Sequence, residues 1–270
     1  MPTTTLQNTN HHIQVNSLGS QILEWTYKNK PIFYASSLLK RSGMPLMFPF
    51  CGPLKDGIFL SSGKPLAQHG FGRLVEWTQI CGTANFINFQ LDSSNLDTQT
   101  QEAYPYSFVA DFFVKLGGEN NQNSDNKVIF SLNIENTSLV DLPIAPGFHP
   151  YFYVRQETKP NLKITNLNGF NSNFLPWSTG VEAQFYINPK ELIINNISGY
   201  RVKMTDQSAM TIGDKTTSLP CDLMTVWAGE VADFVCIEPM SKKFDSINTN
   251  PILIPAGAFY ALEYTFEIIE

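Results

Sequence analysis

Apolar and polar side chains alternate along several stretches of this chain, and this alternation restricts its fold more than any other feature. Apolar residues take the even positions of 128–135, and near the end Leu262, Tyr264, Phe266 and Ile268 alternate with polar residues. A period of two is typical of half-buried strands. The aromatic and β-branched stretches 108–116 and 185–194 show no helical stripe, and twenty Phe and ten Tyr favour pleated surfaces. The sequence therefore predicts an all-β fold.

Short polar turns separate these stretches, for example Asn195-Asn196, Ser198-Gly199 and Pro255-Ala256-Gly257. Neither an internal repeat nor a shift in composition marks a domain boundary. Many short strands with frequent turns predict one large antiparallel β-sandwich with very little helix. We expect residues 1–270 to form a single domain, with the polar N-terminal residues 1–17 disordered.

Charge, cysteine spacing and hydropathy argue against several classes of function. The net charge is −6 and no basic stripe occurs, so we expect no nucleic-acid partner. Cys51, Cys81, Cys221 and Cys236 form no C-x-x-C pair and show no metal-ligand spacing. The N-terminus lacks the apolar core of a signal peptide, and no apolar run approaches the roughly 18 residues that span a membrane. These features predict a cytoplasmic protein that does not enter membranes.

Three distant segments place polar groups among apolar residues: 67–73, 147–152 and 236–239. His149 precedes a proline and has aromatic neighbours, while Glu238 follows an apolar run and is expected where a strand stops at Pro239. Burial would raise the pKa of Glu238. An imidazole and a carboxyl group of raised pKa make a natural acid/base couple. The alternatives are a core histidine bonded to a backbone carbonyl and a salt-bridged edge glutamate.

Other candidates would bind substrate. His69 and Arg73 flank two glycines that permit close approach of a ligand, and Arg41 precedes a second turn. Trp227 and Trp177 could stack on a sugar ring. The alternatives are a tight turn at the two glycines, surface positions for the two arginines and core packing for the two tryptophans. Because G-x-G-x-x-G, G-x-S-x-G and H-E-x-x-H are all absent, we expect neither a cofactor nor a metal.

These segments, in this order, resemble the aldose 1-epimerase (galactose mutarotase-like) family over about residues 21–266. The resemblance rests on 43–50, on Gln68-His69-Gly70-Phe71 with Arg73, on 104–108, on 147–152, and on Val226-Trp227 before Cys236-Ile237-Glu238-Pro239. It implies the large mutarotase-like sandwich, a cofactor-free isomerase, His149 as general acid, Glu238 as general base and His69 as a sugar ligand. Acid and base are expected on opposite sides of the anomeric centre.

The substrate implied by the resemblance is a hexose or a hexose phosphate. Galactose mutarotases carry an arginine where Gly52 is followed here by Pro53-Leu54-Lys55, whereas Arg41 and Arg73 resemble the arginines of the hexose-6-phosphate branch. Two arginines at one site would suit a phosphate dianion. The alternative functions are a non-catalytic carbohydrate-binding or sensing protein and an accessory domain of another enzyme. A sugar is the expected partner of a monomer or homodimer.

Overall fold

Almost all regular structure in this protein is β-strand. The computed structural model describes residues 2–36, 41–117, 125–186, 190–229 and 232–270. The first strands are β1 (Thr3–Gln7), β2 (His11–Asn16), β3 (Ile22–Tyr27), β4 (Lys30–Pro31), β5 (Leu46–Met47), β6 (Ile58–Phe59), β7 (Lys64–Pro65), β8 (Thr78–Gly82), β9 (Phe86–Asp92), β10 (Phe108–Leu116), β11 (Lys127–Asn136) and β12 (Leu142–Ile144). The remaining strands are β13 (Gly147–Phe148), β14 (Tyr151–Tyr153), β15 (Ile164–Thr165), β16 (Val181–Tyr186), β17 (Glu191–Ile197), β18 (Tyr200–Asp206), β19 (Ala209–Ile212), β20 (Lys215–Ser218), β21 (Leu223–Ala228), β22 (Phe234–Met240), β23 (Ile252–Ile254) and β24 (Phe259–Ile269). The described residues also form two short α-helices, α1 (Thr98–Ala103) and α2 (Ser246–Thr249), and five short 3-10 helices (Lys55–Gly57, Gly72–Leu74, Ser93–Asn95, Gln156–Asn161 and Ser172–Phe174), which confirms the predicted all-β class.

The strands form two large antiparallel sheets and three smaller ones. The ten-stranded sheet has the order β15-β17-β18-β24-β11-β10-β9-β8, with β19 and β20 attached through β24. The six-stranded sheet has the order β16-β21-β22-β13-β5, and β14 also pairs with β22. A four-stranded sheet runs β1-β2-β3-β4, and β12-β23 and β6-β7 form two-stranded pairs.

The predicted alternation corresponds to one buried face of the ten-stranded sheet. Val128, Phe130 and Leu132 of β11 lie opposite Phe266, Tyr264 and Leu262 of β24, and all six are buried. The stretch 185–194 proves to contain the end of β16 and the start of β17, with residues 187–189 outside the described parts. Its apolar composition predicts strand correctly but does not show where one strand ends and the next begins.

Aromatic rings join the two large sheets into a sandwich. Phe148 lies 6.2 Å from Phe112 and 6.3 Å from Tyr264 between ring centroids, and Phe152 lies 6.2 Å from Phe266. Each ring is buried, and burial of a side chain of this size contributes about 1.5–3 kcal/mol. One face of the six-stranded sheet is therefore committed to the core, which leaves its other face for a site.

The expectation of a disordered N-terminus is wrong. Residues 3–16 form the β1–β2 hairpin, in which Leu6, Ile13 and Val15 are fully buried. The indole Nε1 of Trp25 donates a hydrogen bond to Nδ1 of His11 at 3.0 Å. The polar composition of this segment conceals three apolar positions on one face, and these are enough to fix the hairpin on the core.

Candidate active site

Strict alternation along β22 and β21 separates core residues from site residues. On β22, Val235 and Ile237 belong to the main core, whereas Cys236 and Glu238 lie on the opposite face. The cross-strand partners of those two residues on β21 are Trp227 and Thr225 respectively. The site is therefore built on the face of the six-stranded sheet that does not pack against the ten-stranded sheet.

An interruption in the ladder beside β22 brings His149 to Glu238. Gly147 pairs with Met240 and Tyr151 with Cys236, so the same register places His149 opposite Glu238. Between those pairs the chain does not bond to β22, because Pro150 has no N–H and the His149 N–H donates instead to the Pro45 carbonyl at 3.1 Å. His149 Nε2 then lies 3.4 Å from Oε1 of Glu238.

The prediction that a strand stops at Glu238 is wrong. Strand β22 continues through Pro239 to Met240, with Met224 opposite Pro239 on β21. By the same register Pro239 faces Phe148, where the short ladder between β13 and β22 ends, so the proline removes a ladder hydrogen bond only at the margin of the pairing. Glu238 is consequently held within a strand that has neighbours on both sides.

Aromatic rings fix the His149 imidazole. It stacks on the Tyr151 ring with centroids 4.7 Å apart and planes within 8° of parallel. Trp227 and His69 approach it edge-on at 6.1 and 5.4 Å. Only 7% of His149 and 3% of Glu238 are exposed. Such packing limits the movement of the pair and restricts the water that reaches it.

Burial favours the uncharged forms of both groups. It lowers the pKa of His149 well below its usual range, and the positive charge of Arg73 acts in the same direction. Burial raises the pKa of Glu238 well above its usual range, helped by the Glu182 carboxylate and opposed by Arg73. Both shifts favour the form of the pair in which His149 is neutral and Glu238 holds the proton.

His69 is oriented by its own backbone and by Gly52. Its N–H donates to the Gly52 carbonyl at 2.9 Å, and the Gly52 N–H donates to His69 Nδ1 at 2.9 Å. Because Nδ1 accepts, the proton of the neutral ring lies on Nε2. Burial, followed by the nearby Arg73, lowers the pKa of His69 to about 3, so the ring stays neutral. His69 thus offers a fixed N–H donor.

The two arginines occupy different parts of the site. Nη2 of Arg73 donates to the Gln68 carbonyl at 3.0 Å, while its Nε is buried with no hydrogen-bond partner among the described residues. The exposed Arg41 places its guanidinium 5.4 Å from the centroid of Trp227, and Phe234 stacks on the same indole at 5.6 Å. The Trp227 indole therefore already has two protein partners, which weakens the case for sugar stacking on it.

All six predicted site residues line one cleft of about 650 Å³, a volume typical of small-molecule sites. They are the two members of the proton-carrying pair, His149 and Glu238, together with His69, Arg73, Arg41 and Trp227. Trp177 does not line it; that indole is buried elsewhere and donates to the Ser172 carbonyl at 2.8 Å. Sequence segments up to almost 200 residues apart thus converge on one concavity.

Sequence reasoning missed Glu182, which also lines the cleft. Glu182 lies opposite Trp227 in the β16–β21 pair and is exposed, so it places a carboxylate on the same face as Glu238. The alternation of Val181, Ala183 and Phe185 with polar residues could have indicated a strand. Only the strand order β16-β21-β22 shows which face of it meets the site.

Within the described ranges, no helix is both long enough and apolar enough to cross a membrane.

No curated protein matches the sequence. Solved structures share the fold at low identity. Slr1438 of Synechocystis is 21% identical with a TM-score of 0.83, over 99% of this chain and 96% of that one.

Two further solved structures are named after galactose mutarotase. The galactose mutarotase related enzyme from Lactobacillus acidophilus is 14% identical with a TM-score of 0.76, over 100% of this chain and 98% of that one. A galactose mutarotase-like protein from Lactobacillus casei is 15% identical with a TM-score of 0.74, over 99% and 100%. At these identities the similarity establishes the fold.

A match to a family model identifies the family of this protein. The model of aldose 1-epimerase matches residues 2–208, a range that includes His69, Arg73 and His149 and ends before Glu238. The three structural matches extend over the remainder of the chain, including β22. With most of the sequence matched by that model and the whole chain sharing the fold, the protein belongs to the aldose 1-epimerase family.

Proposed function

We propose that this protein is a mutarotase that interconverts the α and β anomers of a hexose or hexose phosphate. The observation that supports this most strongly is the His149–Glu238 pair, 3.4 Å apart at the floor of a sugar-sized cleft. Anomer exchange requires one proton to reach the ring oxygen and one to leave the C1 hydroxyl. A buried pair that holds one proton supplies both an acid and a base.

The contact between His149 and Glu238 changes the expected arrangement. The sequence-based expectation places acid and base on opposite sides of the anomeric centre, but the two side chains lie next to each other. The ring oxygen and the C1 hydroxyl are bonded to the same carbon, so two adjacent groups can reach both oxygens. One group protonates the ring oxygen as the other takes the hydroxyl proton, and the ring opens to the aldehyde.

Rotation about C1–C2 then exposes the other face of the carbonyl, and the reverse transfers close the ring as the opposite anomer. We assign His149 as the acid and Glu238 as the base in the opening step, which therefore starts from the form in which the single proton of the pair has moved from Glu238 to His149 across their 3.4 Å contact. After each full cycle the pair holds its single proton again. Each positioned transfer is typically worth about 10²–10⁴-fold, which is ample for a reaction that already proceeds slowly in water.

The rest of the cleft would hold the sugar. His69 Nε2–H and the guanidinium of Arg73 are donors suited to hydroxyl oxygens, and the Glu182 carboxylate can accept from hydroxyl groups. Arg41 and Arg73 together would also attract a phosphate dianion. Arg73→Ala should then slow a phosphorylated hexose far more than a free hexose; equal losses would remove the phosphate from the proposal.

Polarimetry tests the proposal directly. Freshly dissolved α-glucose, α-galactose and α-glucose 6-phosphate are followed with and without the protein. We expect faster approach to the equilibrium rotation for at least one of them, and no acceleration by His149→Ala. Measurable sugar binding without acceleration would instead favour a carbohydrate-binding protein built on the same fold.

A further inference from the structure

Cys236 has no role in the proposed reaction, yet it lies directly beside the groups that do. It is two residues before Glu238 on the same face of β22, and it is fully buried. Tyr151, which stacks on His149, is its cross-strand partner. The thiol therefore lies beneath the floor of the cleft rather than in the core between the two large sheets.

Three different ligand types converge at this point. One ring nitrogen of His149, Sγ of Cys236 and a carboxylate oxygen of Glu238 all lie within 4.8 Å of one another, and all three residues are buried. Nitrogen, thiolate sulfur and carboxylate oxygen are the ligands that zinc prefers, and a zinc ion can be held by three protein ligands with a water molecule in the fourth position. A tetrahedral ion would need these atoms about 3.5 Å apart, so a small closure is required.

The surroundings permit that closure. Nδ1 of His149 is buried and has no hydrogen-bond partner in the described parts of the chain, so the ring is held only by packing and by the 3.4 Å contact of Nε2 with Glu238. His149 and Glu238 line the open cleft, which provides a path for an ion from solvent. A thiolate and a carboxylate would together balance the charge of a divalent cation.

We propose that His149, Cys236 and Glu238 bind a zinc ion and that the bound ion inhibits the enzyme. Coordination releases the Cys236 thiol proton, and any proton held by Glu238, to water; nothing is oxidised or reduced. The ion occupies both members of the acid/base pair, so the sugar meets neither a free acid nor a free base. The inhibitory part rests on the proposed function, whereas binding of the metal does not.

Zinc binding is measured with the metal alone, by competition with a chromophoric chelator. We expect one ion per chain, bound more than about tenfold more weakly by Cys236→Ser. Cys81→Ser is the matched control, because Cys81 is an exposed cysteine on β8, away from the cleft lining. Equal affinity in Cys236→Ser and the unmodified protein, or loss of binding in Cys81→Ser, would overturn the proposal.

A second measurement avoids dependence on the folding of a core variant. Cobalt(II) added to the unmodified protein should give a thiolate-to-cobalt charge-transfer band, and a spectrum without that band contradicts the site. Polarimetry with and without zinc then separates the two proposals. If the protein binds zinc but never accelerates mutarotation, the zinc site is supported and the proposed enzyme activity is refuted. If it accelerates mutarotation and zinc does not change the rate, the activity is supported and the inhibitory zinc site is refuted.

Discussion

Gly70, which follows His69, is the position where a single methyl group should most clearly disturb the site. Its φ is +70°, and an added Cβ would lie 2.3 Å from the Phe48 carbonyl oxygen and 2.6 Å from Cδ of Pro49. Gly63 is a close match in conformation, with φ +69°, but nothing lies within 4 Å of its Cβ position. Comparing Gly70→Ala with Gly63→Ala therefore separates steric overlap from backbone strain.

The expected magnitudes follow from those two environments. A left-handed conformation costs an L-residue about 1–2 kcal/mol, and the lower entropy of the unfolded alanine chain offsets about 0.4–1 kcal/mol. Gly63→Ala should thus lose about 1 kcal/mol. At Gly70 the obstacle is backbone, which cannot rotate away, so overpacking adds about 1–3 kcal/mol and the total loss is about 2–4 kcal/mol.

Urea unfolding of the two variants measures the difference, with unchanged slopes showing that the unfolded states are comparable. Because Gly70 follows His69 directly, Gly70→Ala should also weaken sugar binding, whereas Gly63→Ala should not. Losses of stability that agree within about 0.5 kcal/mol would refute the steric argument. So would unchanged sugar binding in Gly70→Ala.

Charge and burial give the remaining predictions. Arg73 lowers the pKa of both His149 and Glu238, so Arg73→Gln should move both limbs of the pH–rate profile to higher pH. The control is the exposed Arg155, which pairs with Glu157, and Arg155→Gln should move neither limb. Glu182 raises the pKa of Glu238, so Glu182→Gln should move the alkaline limb to lower pH, and an upward or absent shift contradicts the assignment. Burial lowers the pKa of His11 from 6.5 to about 4, so the unfolded chain takes up a proton that the folded protein excludes, and the free energy of unfolding falls as pH falls through that interval. His11→Gln cannot take up that proton, and urea unfolding at neutral pH and near pH 5 should show a smaller loss than in the unmodified protein; an equal loss would exclude His11 as a source.

The sequence is most predictive where one strand buries one face. The alternation of Leu262, Tyr264 and Phe266 with polar residues predicts β24 because period two reports burial directly. The polar composition of residues 1–17 led to the wrong prediction of disorder, because three apolar positions suffice to hold the β1–β2 hairpin on the core. Composition averages over a segment, whereas burial depends on the side chains that share a face.

The site shows the same contrast. The six predicted residues lie in short motifs, and all of them line the cleft. Sequence patterns could not place His149 beside Glu238, because that contact depends on an interruption in pairing across β22. Nor could they find Glu182, whose position depends on β16 being the neighbour of β21. Both features depend on which strands lie side by side, a property that no local pattern encodes.

The turnover number of Glu238→Gln tests the central claim most directly. The amide keeps the size of the carboxyl group but cannot accept a proton, so kcat for the best sugar should fall about 10²–10⁴-fold, equivalent to about 2.7–5.4 kcal/mol, while sugar affinity stays within about tenfold. Glu157→Gln, at an exposed carboxylate outside the cleft lining, should leave kcat unchanged. A Glu238→Gln variant that keeps most of its turnover would contradict the assignment of the acid/base pair.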